Sequence, residues 1–188
     1  MNLNSKGSAL LVMDMQNSIV KNLPSYTQLI NNLSKAIALA RSNQMYIIYV
    51  TIGFRSGMPE VSINNKVFSA SKQRSIGRTN IPNAMDIDDT IAPVENDIIV
   101  TKRRISAFTG SDLEVLLRSL GVNRLVLTGV ATSGVVLSTL CEAADKDYGV
   151  TVLSDCCADY NEDVHNILIQ KVFPFQSTIA TVADLGSE

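Results

Sequence analysis

Three stretches of this 188-residue chain end in groups that could do chemistry. Asp14 closes the apolar run at residues 9–13, Lys102 follows the run at 97–101, and GVATSGVVLST, residues 129–139, turns out of the run at 125–130. A carboxyl group can give or take a proton, and an ammonium beside it can shift its pKa and hold an anion. A tight turn into a helix presents backbone N–H groups to a carboxylate or an oxyanion. Each also has a plainer role. An Asp at a strand end often only caps a turn, and the basic run Lys102-Arg103-Arg104 reads alone as a solvated edge. The three gain weight together: if their strands are neighbours, carboxylate, ammonium and helix start converge beyond the carboxyl ends of a sheet, where open parallel sheets bind ligands.

The glycine-containing turn does not read as a nucleotide site. Gly129 and Gly134 fit neither G-x-x-x-x-G-K-[ST], because Val135 stands where Lys is needed, nor G-x-G-x-x-G. Ser133, Ser138 and Thr139 supply hydroxyls, but a hydroxyl nucleophile needs an adjacent base. The sole histidine, His165, falls in a later helical pattern and is expected to lie across the domain, so Ser133 is read as a cap. Cys141, Cys156 and Cys157 are read as small core residues.

The elements that must position these groups alternate along the chain. Apolar runs at 9–13, 46–51, 97–101, 125–130, 150–154 and 178–182 predict six strands, with helical spacing at 26–42, 112–120, 133–148 and 162–172. Gly121 reads as a helix C-terminal cap. This alternation predicts an α/β fold with a mainly parallel sheet covered on both faces, in one domain over residues 1–188. Residues 53–96, with Pro59, Pro82 and Pro93, show no sustained periodicity, and a segment of that length serves as a lid over a site or as an arm for oligomer contacts.

Composition narrows the class. Hydrophobic residues make up 46% and charged residues 18%, with a net charge of -2, so the chain is globular and carries no electrostatic footprint for nucleic acid. The apolar runs are far shorter than the ~20 residues that span a bilayer, and the start lacks the pattern of a signal peptide. Cytoplasmic residence with reduced thiols is the expectation, with neither nucleic acid nor membrane as partner.

Several blocks in fixed order resemble the isochorismatase-like hydrolases: LLVMDMQN at residues 10–17, DIIVTKRRISAFTGSDLEVLLRSLGVNRLVLTGVATSG at 97–134 and AADKDYGVTVLSDCCAD at 143–159. The resemblance implies a three-layer, Rossmann-like α/β/α sandwich and, in the family's amidohydrolases, an Asp, Lys and Cys triad. The Asp falls on Asp14 and the Lys on Lys102. The Cys position, six residues beyond Gly129, falls on Val135, whose two methyl groups exclude thiol chemistry there. The family's isochorismatases also lack the Cys and hydrolyse a vinyl ether by protonation and water addition. They place Gly at its position, whereas here Gly134 is one residue early.

The expectation is a Cys-less hydrolase of a small, anionic metabolite, with a non-catalytic binding or assembly protein on the same scaffold as its rival. Gln16, Phe54, Arg55, Phe108, Ala131 and Gly134 are the candidate substrate contacts, Arg55 as a clasp for a carboxylate and Phe108 as the aromatic the resemblance places in the pocket. Asn64, Asn65, Lys66, Phe68, Arg74 and Arg78 belong to the same lid. The family's nicotinamidases carry Asp and His ligands after the second strand. Residues 51–57 here read TIGFRSG, so neither a catalytic metal nor a cofactor is expected. A homodimer or homotetramer is expected, as is common among such proteins.

Overall fold

The computed structural model describes residues 7–75 and 83–185. Its strands are β1 (Ser8–Met13), β2 (Tyr46–Ile52), β3 (Ile98–Lys102), β4 (Arg124–Val130), β5 (Gly149–Ala158) and β6 (Thr178–Ala180). They form one sheet in the order β3-β2-β1-β4-β5-β6, with every neighbouring pair parallel. The direction of winding reverses between β1 and β4, and such a reversal leaves a crevice at the carboxyl ends.

Helices α1 (Asn17–Val20), α2 (Tyr26–Ser42), α3 (Lys66–Ser75), α4 (Leu113–Ser119), α5 (Leu137–Asp145), α6 (Glu162–Ile167) and α7 (Val182–Leu185) complete the fold. All six residues of β1 are buried, as a central strand covered on both faces requires. Ala9, Leu11 and Met13 meet Leu113 and Leu117 of α4 and Leu140 of α5, while Leu10 and Val12 meet Leu33, Ile37 and Ala40 of α2 and Val182 of α7. The alternation splits the core into two halves, one on each face, and each fully buried Leu adds about 1.5–3 kcal/mol to it. No described helix is long and apolar enough to cross a membrane.

Departures from the expected elements have local causes. The helix expected at 133–148 begins as a π-helical turn, Thr132–Val136, before α5, and it ends early where Asp147 adopts a left-handed φ of 63°. The helix expected at 162–172 is α6 followed by a second π-helical turn, Leu168–Val172. The sixth strand stops at Ala180 because Thr181 and Asp184 cap α7 reciprocally: the Thr181 hydroxyl donates to the Asp184 carboxylate at 2.7 Å and accepts from the Asp184 N–H at 3.4 Å. Within 53–96, α3 forms without a broad apolar stripe, burying Phe68. Strand β5 runs past its expected end: Leu127 faces Val152 but Gly129 faces Cys157, a bulge that carries the chain on towards Asp159.

Candidate functional site

Asp14 stands one residue beyond β1 with φ 55°, a left-handed conformation that Asp tolerates better than most residues, and its N–H bonds the Val50 carbonyl at 2.8 Å. The strand of Lys102 is not a neighbour of β1, as convergence of the three groups would suggest; β2 lies between them. The long lysine side chain crosses that gap. Its Nζ lies 2.8 Å from Asp14 Oδ2 and donates to the carbonyls of Arg104 at 3.0 Å and Ile105 at 2.9 Å, so three acceptors serve its three protons.

The pair is almost closed from water. Lys102 is 1% exposed and Asp14 7%. Burial pushes the Asp14 carboxyl up to about 6 although the Lys102 charge and hydrogen bond pull it down, and burial holds the Lys102 ammonium below its ordinary range against the attraction of Asp14. Asp14 Oδ1 is buried and has no hydrogen-bond partner among the described residues. One oxygen is thus committed to Lys102, and the other is left with its hydrogen-bonding capacity unused.

Gly129 sets the third component in place. Its φ is +130°, and a Cβ there would lie 2.1 Å from the Met13 carbonyl oxygen, so only glycine lets β4 approach β1 this closely just below Asp14. The Val130–Ala131 peptide bond that follows is cis, and Ala131 leads into the π-helical turn. Val135 is 1% exposed and belongs to the core half that holds Leu113 and Leu140. At Gly134, by contrast, an added Cβ would have only the Ala131 Cβ near it, at 3.9 Å. The open side of the turn lies at 134, not at 135.

The other sequence candidates are spread differently. Gln16 acts as a clamp between two segments: its amide donates to the carbonyls of Ile52 and Met85 at 3.1 and 2.8 Å and accepts from the Ile52 N–H at 2.8 Å, with the residue 1% exposed. Phe108 is likewise a core residue, 6% exposed, its ring 5.9 Å from that of Tyr148. Phe54 stacks edge-on against Phe68 at 5.2 Å. Arg55, with 69% of its side chain exposed, pairs with Glu60 at 2.8 Å, and Arg104 donates to the Glu60 carbonyl at 2.9 Å, which ties the segment after β2 to the loop after Lys102. Arg78 lies outside the described residues.

Two expectations about the turn are corrected. The Ser133 side chain does not cap it; the Ser133 N–H is itself held, at 2.8 Å, by the carboxylate of Asp159. His165 is not across the domain either: its Nδ1 lies 2.8 Å from the Thr132 hydroxyl. A cavity of about 490 Å³ beside the end of β5 is lined by Asp155, Cys157, Asp159, Glu162 and His165 among others, and neither Asp14 nor Lys102 borders it. Cys157 is buried, and burial pushes its thiol up to about 12, which makes it inert. Among the described residues, no three His, Cys, Asp or Glu side chains gather in a way that could hold a metal ion.

Comparison with known proteins agrees with this architecture. The sequence profile of the isochorismatase domain matches residues 8–184. Ureidoacrylate amidohydrolase RutB of Klebsiella pneumoniae is 30% identical over 79% of this chain and 72% of its own. A probable inactive nicotinamidase of Arabidopsis thaliana is 29% identical over 88% of this chain and 89% of its own. The solved structure of an isochorismatase family protein from Burkholderia thailandensis superposes with a TM-score of 0.81 at 27% identity, covering 95% of this chain and 93% of that one.

Proposed function

The chain belongs to the isochorismatase family, and from that premise we propose that it hydrolyses a small, anionic metabolite with Asp14 and Lys102 as its proton-handling pair and without a thiol nucleophile. The observation that carries this reading is the divided Asp14 carboxyl: Oδ2 on the Lys102 ammonium, Oδ1 buried and unpartnered, with a pKa of about 6. Such a group holds a usable fraction of its protons near neutral pH and can also accept one, as a general acid or base must.

The chemistry balances without an acyl-enzyme. Towards a vinyl ether, Asp14 delivers its proton to the terminal alkene carbon, water adds to the resulting oxocarbenium ion, and the hemiketal breaks its C–O bond to release an alcohol and a ketone while the carboxyl regains a proton. Towards an amide, the ionised carboxyl takes a proton from the attacking water and returns it to the leaving nitrogen as the C–N bond breaks. Lys102 holds the carboxyl in place and supplies positive charge beside an anionic substrate.

The test is hydrolysis of a panel of isochorismate, nicotinamide, ureido acids, simple amides and esters by the wild type and Asp14→Ala. Turnover by the wild type that falls about 10²–10⁴-fold in the variant, with its circular dichroism unchanged, is the expected result. Turnover that survives the substitution refutes the assignment. A second reading, a non-catalytic binding protein, is favoured by Val135 in the Cys position and by the likeness to a probable inactive nicotinamidase. It predicts no turnover on any panel member together with a raised melting temperature in the presence of one of them.

A further inference from the structure

The turn that follows β4, the strand paired with β1 up to Met13 and Gly129, has no cap of its own. Ala131 occupies the N-cap position of Thr132–Val136 and offers no side-chain acceptor. Two residues from beyond β5 supply what is missing. Asp159 Oδ2 accepts the Ser133 N–H at 2.8 Å from 26 positions along the chain, and His165 meets the fully buried Thr132 hydroxyl at 2.8 Å from 33 positions along. The supporting segment is itself braced. Asp159 Oδ1 accepts the Asn161 N–H at 3.3 Å, and Asn161 Oδ1 caps α6 by accepting from Asp163 at 2.9 Å and Val164 at 3.3 Å. Residues 159–165 thus form a stiff bracket that grips two successive residues of the turn.

The bracket adds nothing to the sheet, whose β4–β5 ladder already reaches Val130 and Ala158. Burial works against the Asp159 charge, yet its bonds from Ser133, Asn161 and Tyr160 leave the carboxyl below its ordinary range. The carboxylate is therefore ionised at neutral pH, when an anion at a helix start is most favourable. Asp159 and His165 also form part of the wall of the cavity beside β5, which Asp14 does not border.

We propose that Asp159 and His165 are positioning residues of the candidate site, gripping Thr132 and Ser133 from the β5 side so that the turn keeps its place at the end of β4. This rests on the hydrolase reading, but part of its test does not. Amide exchange followed by NMR in Asp159→Ala, His165→Ala and Thr132→Val should rise about tenfold or more at Ser133 to Val136 and stay unchanged at Val126 and Leu127 in mid-β4, since each variant removes a hydrogen bond that acts locally. Asp159→Asn and His165→Asn, which keep an acceptor near the same place, should restore most of the protection. Exchange that is unchanged in the turn, or that rises equally throughout β4, overturns the proposal whatever substrate is found. Where the panel yields turnover, the alanine variants should lower kcat about tenfold with KM little changed. A kcat that stays level while the turn loosens also overturns it, because the grip would then not serve the site. Turnover that survives Asp14→Ala removes the hydrolase reading by a separate measurement, and the exchange data still decide whether the bracket holds the turn.

Discussion

Removing the charge of Lys102 should raise the pKa of Asp14 further, and the structure supplies the starting point. The carboxyl is lifted from 3.8 to about 6, which amounts to about 3 kcal/mol of disfavour for the charged form, net of what Lys102 returns. At pH 7 a group with that pKa is protonated in about one molecule in ten, against about one in 1,600 at the ordinary value, a gain of roughly 150-fold in available acid. Because the folded pKa lies above the unfolded one, folding takes up a proton between 3.8 and about 6. The contribution of Asp14 to stability is therefore fully present below that window and is lost as the pH rises through 6, the reverse of a carboxylate stabilised by a salt bridge. Lys102→Met removes the attraction and the hydrogen bond, both of which lower the pKa, and leaves the burial. The assay is a pH titration of aspartate carboxyl ¹³C shifts, with the Asp14 signal identified by its loss in Asp14→Asn. A wild-type midpoint near 3.8, or a midpoint in Lys102→Met that stays level or falls, would refute the reasoning. The pH profile of turnover then separates the two roles: activity that falls above about 6 marks Asp14 as a proton donor, and activity that falls below it marks a base.

Three further perturbations follow from the packing. Gly129→Ala should destabilise the fold by about 3 kcal/mol or more in urea denaturation, since its Cβ would meet the Met13 carbonyl at 2.1 Å on a backbone with φ +130°. Gln16→Ala strands the Ile52 N–H and two carbonyls and should cost about 2–3 kcal/mol, with faster amide exchange at residues 83–88. Val135→Cys should resist iodoacetamide in the native state and react fully once unfolded, as peptide mass spectrometry would show, because position 135 is 1% exposed. Rapid native alkylation would instead put it on the site wall.

The strands were legible because central parallel strands are apolar on both faces and need no alternation to be seen, and the glycine at 129 marked the turn. What was hidden depended on order across the sheet. Nothing local reveals that β2 separates Lys102 from Asp14, or that the lysine reaches over it. His165 read as distant because 33 residues separate it from Thr132, yet β5 runs beside β4 and α6 starts just beyond its end. One further signal is readable in the sequence: Thr181-Val182-Ala183-Asp184 has the spacing of a helix cap, and it shortens the sixth strand. The sequence does not show that the Gln16 amide spans β2 and residue 85, a tie to segments 36 and 69 positions away.

With Val rather than Cys at position 135, the energetics of the Asp14 and Lys102 pair are the better guide to purpose. A pair kept for stability would hold both ions at their charged extremes. Here burial outweighs the mutual attraction on both sides, raising the acid and lowering the base towards neutrality. Apolar residues of similar volume at such positions are often neutral or more stable, and an oxygen left without a partner adds a further cost. The left-handed backbone at Asp14 points the same way, as does a β4 that needs glycine to pass Met13. These costs fall at the one place where the sheet reverses its winding, which is where a ligand would recover them by bonding to Asp14 Oδ1. On that argument a double variant, Asp14→Asn with Lys102→Met, which keeps a residue suited to the left-handed backbone, should lose in urea only the roughly 1–3 kcal/mol that stranding the Arg104 and Ile105 carbonyls costs, while losing whatever turnover the wild type has. A larger loss of stability would make the pair structural and leave the turn without an acid.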